Sequence, residues 1–154
     1  FFTEYKSMNN FDRLNEVIKY IEDNLTYEIS IEKICQILCV NEYSLYRIFN
    51  FITGISLTEY IRNRKLSMAG LELINSKIKI IDLSLKYGYD SPISFSRAFK
   101  KFHGIKPSEV KQNSKYLKNF APFTFTNNTS NNIELDFKIQ KKDELHFYTI
   151  PKST

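Results

Sequence analysis

No stretch of the 154-residue chain approaches the roughly 18 uninterrupted apolar residues of a membrane-spanning helix, which rules out an integral membrane protein of that kind. Glycine and proline are scarce, four of each. A chain so poor in breakers favours long regular elements over a loop-rich fold. Cysteine is confined to Cys35 and Cys39, four residues apart in an apolar helical run. That spacing puts both thiols on one face of a helix, where burial is the usual fate of cysteine. A zinc centre needs about four ligands, and only His103 and His146, both far away in sequence, are left to join. Neither a metal nor another cofactor is expected. The sequence also lacks a G-x-S-x-G elbow, a P-loop and a dinucleotide fingerprint, so it does not read as an enzyme. Two thiols and no secretory pattern fit a reducing cytoplasm.

What is present is enough for a core. Apolar residues make up 42% and aromatics 15% of the chain, against a net charge of only +5. That total barely hints at a partner, but its placement says more. Residues 1–42 carry a net charge of −4, residues 43–113 carry +7 and residues 114–154 carry +2. The middle block is where a surface for phosphate is expected. The alternative is a charge set split by chance.

Residues 1–10 read as an N-terminal extension or cloning scar, with Met8 as a candidate start. From residue 11, Leu14, Val17, Ile18, Ile21 and Leu25 keep the i, i+3, i+4, i+7 rhythm of a first helix. Ser30 can cap a second helix and Asn41 a third that stops at Gly54. Ser56-Leu57-Thr58-Glu59 forms a capping box that opens a long helix over about 57–75. A fifth helix runs from Ile80 to Tyr87. Ser91-Pro92 starts a sixth that ends at Gly104, and Pro107-Ser108-Glu109 starts a short seventh. Residues 114–132 are polar and Asn-rich towards their end and read as a linker. Beyond them Ile133, Leu135, Phe137 and Ile139 alternate as a strand, and Leu145 and Phe147 suggest another. The expected fold is therefore all-α with a short β-containing C-terminal tail.

Residues 41–60 can be laid over 91–110 at an offset of 50, with Ser44/Ser94, Arg47/Arg97, Phe49/Phe99, Gly54/Gly104, Ile55/Ile105 and Glu59/Glu109 identical. Each copy is a short helix, a tight turn and a second helix with R-x-F at its middle, the outline of a helix-turn-helix. The units span about 30–54 and 80–104. The long helix between them, at about 1.5 Å per residue, spans about 28 Å. With the widths of the units added, two reading helices one DNA turn apart, roughly 34 Å, come within reach of a monomer.

The motifs YSLYRIFNFITGISLTEYIRNRKLSMAGLELI and IIDLSLKYGYDSPISFSRAFKKFHGIKPSEV resemble the DNA-binding domain of the AraC/XylS family of bacterial transcription regulators. Residues 11–113 carry the resemblance. It implies seven helices, two helix-turn-helix units on a linking helix, promoter DNA as partner, RNA polymerase as a second partner and a place at the nucleoid. Some family members carry a gyrase-inhibitor-like effector domain after this one. Residues 133–154 would then begin a truncated domain for a small-molecule effector. A scaffold for a ligand sensor or protein-interaction adaptor is the competing function.

The resemblance assigns base reading to Arg47 and Arg97, whose guanidinium suits guanine O6 and N7. Tyr43, Ser44 and Tyr46 accompany the first, with both tyrosines equally readable as half-core. Pro92, Ile93, Ser94 and Ser96 accompany the second. Pro92 and Ile93 offer no hydrogen-bonding side chain, so this helix is expected to touch thymine methyls or to depend on phosphates and DNA shape. Arg62, Arg64, Lys65, Lys100 and Lys101 are the phosphate candidates. Phe51 and Ile52 are expected to bury against the linking helix, the other reading being an exposed patch for RNA polymerase. Cys39 stands where the second unit has Gly88, so a positive φ there would carry strain.

Overall fold

The computed structural model describes residues 9–127 and the backbone of a strand at 133–137. Six α-helices precede two strands: α1 (Asn10–Asp23), α2 (Ile31–Leu38), α3 (Glu42–Thr53), α4 (Leu57–Asn75), α5 (Ile80–Lys86), α6 (Pro92–His103), β1 (Phe123–Asn127) and β2 (Ile133–Phe137). The caps are those the sequence offers. The side chains of Asn9, Ser30, Asn41 and Ser56 each accept from a backbone N–H three residues on, and Ser91 forms a reciprocal box with Ser94. Each bond satisfies one of the four orphan donors of a helix start. Gly54 and Gly104 close α3 and α6 in left-handed conformations.

The turn between α2 and α3 closes on Cys39 at φ 56°, where its counterpart Gly88 sits at φ 80°. A β-carbon in this region is unfavourable by about 1 kcal/mol or more, and the exposed contact of the Arg13 guanidinium with the Cys39 thiol is small beside it. Cys39→Gly is expected to raise stability by about 0.5–1 kcal/mol, after allowing for the greater backbone entropy of glycine in the unfolded chain. Urea unfolding of the two proteins checks this.

The linking helix is the centre of the molecule. Leu57, Tyr60, Leu66, Ala69 and Leu73 are buried, as are Asn63, Arg64, Ser67 and Gly70. At Gly70 a β-carbon would stand 3.1 Å from the His103 ring, so α4 and α6 meet closely there, and any side chain would require the ring to shift by a few tenths of an ångström. On one side α1, α2 and α3 enclose Val17, Ile21, Ile34, Leu45 and Phe49. On the other, Leu83, Phe95 and Phe99 fill the second unit.

Two expectations change. The seventh helix is a single 3-10 turn, Pro107–Glu109, in which the Lys106 N–H donates to the Glu109 carboxylate; three residues are too few for an α-helical bond ladder. The segment 114–127 is not a linker. Leu117, Phe120, Phe123 and Phe125 are buried in the common core, and Phe123 packs among Phe49, Tyr60 and Phe120 with ring centroids 4.7–6.5 Å away. Strand β1 pairs antiparallel with β2, Phe125 opposite Leu135. The remaining linker positions 128–132, the strand around Leu145 and Phe147, the rest of the supposed effector segment, and residues 1–8 lie outside the described residues.

Candidate nucleic-acid interface

Helix α3 sends Leu45 and Phe49 inward, which turns Tyr43, Tyr46, Arg47 and Asn50 outward. Tyr43 is 69% exposed and forms a pair with Arg47 one turn on. The guanidinium lies 5.4 Å from the centre of the Tyr43 ring, and Arg47 Nη1 donates to the Tyr43 hydroxyl at 3.4 Å. Such a cation–π contact at an exposed site is worth about 0.5–1 kcal/mol. Tyr46 is at the edge of exposure; partial burial, followed by the neighbouring Glu42 carboxylate, pushes its phenol up. Ser44 is half-buried. All four border one open hollow with Phe51 and Ile52.

Helix α6 repeats the plan with different chemistry. Phe95 and Phe99 point inward, and Ile93, Ser94, Arg97, Lys100 and Lys101 lie exposed, with Pro92 and Ser96 half-buried. Pro92, Ile93, Ser96, Arg97 and Lys100 border an open hollow of 370 Å³ that Lys106 and Ser108 complete. The hydroxyl of Ser94 is turned back into the capping box of its own helix.

On the linking helix the phosphate candidates divide. Arg62 is exposed and Lys65 half-buried; desolvation pulls the Lys65 ammonium below its ordinary value. Arg64 is not a phosphate ligand. It is 4% exposed, and its Nε and Nη2 grip the Glu22 carboxylate at 2.7 and 2.6 Å while Nη1 donates to the Phe120 carbonyl. On a helix packed on several sides, three neighbouring cations cannot all face solvent. Position 64 turns towards α1, where an acid awaits it. Phe51 departs from expectation in the opposite sense. It is 89% exposed, because residues 45, 49 and 53 occupy the inner face of α3 and position 51 falls on its back. Ile52 is half-buried.

Alongside this geometry stand three comparisons. A family profile described as a helix-turn-helix domain matches residues 34–113. The HTH-type transcriptional activator AarP of Providencia stuartii is 40% identical over 95 residues, which are 62% of this chain and 70% of AarP. The chain belongs to the AraC/XylS family. It is thus a DNA-binding transcription regulator. A solved transcriptional regulator with an AraC-type DNA-binding domain, from Chromobacterium violaceum, shares the fold with a TM-score of 0.60 at 24% identity, covering 65% of this chain and 89% of that one. The DNA-binding domain of AdpA, solved in complex with a target DNA, does so with a TM-score of 0.59 at 18% identity, covering 65% and 90%.

In this AraC/XylS-family chain the profile stops at residue 113, yet the next dozen residues are laced into the domain. The Lys118 N–H donates to His103 Nδ1 at 3.0 Å, and His103 Nε2 stands 2.8 Å from the Leu66 carbonyl. Only a neutral imidazole with its proton on Nε2 satisfies both. The Phe120 N–H donates to Ser67 Oγ, and the Asn15 side chain both donates to and accepts from the Phe125 backbone, each at 2.8 Å. His103, Asn15 and Ser67 carried no signal in the sequence as structural anchors, since their partners lie 15 to 110 positions away. Among the described residues no group of three potential metal ligands comes together. No helix among them is long and apolar enough to cross a membrane.

Proposed function

We propose that α3 and α6 enter adjacent major grooves of one promoter site, with Arg47 and Arg97 as the central base-reading residues and Arg62, Lys65, Lys100 and Lys101 on phosphates. The observation that carries this reading is the duplicated helix itself. Each copy is side-chain capped, each ends in a left-handed glycine, and each presents an exposed arginine at the matching position. A surface so repeated suits a ligand that is itself repetitive, and the net +7 of residues 43–113 suits a polyanion. Tyr43, Ser44 and Tyr46 flank the first contact; Pro92, Ile93, Ser94 and Ser96 flank the second. Since AarP is named an activator, activation through RNA polymerase is the mode proposed, with exposed Phe51 as the contact. A small-molecule effector, if one acts, would be read by residues beyond the helical domain.

Binding to selected duplexes, measured by fluorescence anisotropy, tests the core of this reading. Arg97→Ala is expected to weaken specific binding about tenfold to a hundredfold, the worth of one bidentate guanine contact, whereas Lys77→Ala in the α4–α5 loop leaves it unchanged. The logarithm of affinity falls with that of salt at a slope near −4 for four phosphate contacts. No enriched site in a selection from random duplexes, together with an unchanged Arg97→Ala protein, overturns it.

A further inference from the structure

The two reading helices are built on one plan but offer DNA different chemistry. At the matched positions 43/47 of α3 stand a tyrosine and an arginine that hold each other, stacked at 5.4 Å and hydrogen-bonded at 3.4 Å. At 93/97 of α6 stand an isoleucine and an arginine, both exposed. Ile93 is 66% exposed in the first turn of its helix, where Ser91 and Ser94 already supply the cap. It therefore contributes nothing to the cap, and the core is filled by Phe95 and Phe99. Residues four apart share a helix face and lie about 6 Å apart along its axis, close to two base-pair steps of about 3.4 Å.

Resting on the reading above, we propose that α6 recognises a thymine and a guanine within two base pairs of each other, Ile93 against the thymine C5-methyl and Arg97 on guanine O6 and N7. In the major groove, that methyl is the feature an unfunctionalised side chain can distinguish. The neighbouring serines do not compete for the base, because the Ser94 hydroxyl is held in the capping box and Ser96 is half-buried. The corresponding pair on α3 offers a phenol and a partly engaged guanidinium, so it selects a different sequence. The two half-sites are consequently unlike, and the operator has a direction. One chain on such a site points a single way along the promoter, which fixes the side on which Phe51 is presented.

The test uses the whole chain and the site enriched from random duplexes. The enriched site is expected to be non-palindromic, with thymine and guanine close together in one half. Replacing that thymine by deoxyuridine removes only the methyl group and should weaken binding about fourfold, the worth of one buried methyl. The Ile93→Ala protein should bind both duplexes equally. Replacing the guanine by 7-deazaguanine should weaken the wild-type protein but not Arg97→Ala. A palindromic site, a half-site without thymine, or an equal deoxyuridine effect on wild type and Ile93→Ala overturns the assignment while leaving the two-groove reading intact. Failure to enrich any site is instead the failure of that reading.

Discussion

Arg64→Ala is expected to destabilise the domain by about 3–5 kcal/mol, a large share of the 5–15 kcal/mol that holds a typical domain together. The guanidinium spans three parts of the chain. It holds the Glu22 carboxylate of α1 in a two-pronged grip and the Phe120 carbonyl of the C-terminal segment, from the middle of α4. Alanine leaves the Glu22 carboxylate, whose side chain is 22% exposed, without its counter-charge, and takes the Arg64 N–H away from the buried Phe120 carbonyl. It also exposes the Tyr60 phenol, already pushed well up by burial and the same carboxylate, to an unbalanced negative charge. Arg64→Lys should recover only part of the loss, because an ammonium cannot bond in parallel to both carboxylate oxygens and reach Phe120 as well. Arg64→Met combined with Glu22→Leu should recover most of it, since removing both charges ends the desolvation penalty. Urea unfolding of the four proteins reads these differences. The same series separates structure from DNA contact. Lys100→Ala should make the salt slope of DNA binding shallower by about one, whereas Arg64→Lys, where it remains folded, should leave that slope alone.

How far the sequence could be read depended on whether a residue's partner was near it in the chain. Helix starts at Ser30, Asn41, Ser56 and Ser91 were legible because a cap and the N–H it satisfies lie three residues apart. The duplicated units were legible because a repeat is compared with itself. Phe51 was misjudged by a single helical position, since burial on α3 turns on the phase of Leu45 and Phe49 and not on hydrophobicity. Arg64 was indistinguishable from Arg62 and Lys65 because the acid that claims it stands 42 residues earlier. Strand β1 left a trace in the alternation of Phe123 and Phe125 with Thr124 and Thr126. Five residues beside an Asn-rich run are too few to stand out from a linker, and the stretch reads as one. What the trace omits is the helix side chain of Asn15 closing one edge of the strand, a pairing no period-two pattern encodes.

The largest effect should follow from ending the chain at Asn113, where the helix-turn-helix similarity ends. Such a protein keeps every α-helix and both reading surfaces, yet it should lose cooperative unfolding. Leu117, Phe120, Phe123 and Phe125 are each no more than 6% exposed, and burying one such side chain is worth about 1.5–3 kcal/mol. Together they match the net stability of an ordinary domain. Their removal uncovers Tyr60 and Phe49, against which Phe123 packs. It also strips partners from Arg64, Ser67, Asn15 and His103, four polar side chains placed to meet a backbone that would no longer be there. A chain ending instead at Asn127 retains all of these contacts and, of the described structure, gives up the pairing of β1 with β2. It should therefore unfold cooperatively, with near-ultraviolet dichroism close to that of the full chain, while the shorter protein keeps far-ultraviolet helicity and loses the aromatic signal. The consequence for DNA follows from the same contacts. Segment 117–125 touches α1 through Asn15, α3 of the first unit through Phe49, α4 through Ser67 and Arg64, and the end of α6 through His103. It thus holds the first unit, the linking helix and the second unit in one arrangement. Without that brace the spacing of the two reading helices is no longer fixed. The shorter protein should accordingly retain salt-sensitive attraction to any duplex and lose preference for its site, and equal discrimination by the two truncated chains would show that the helices set their own spacing.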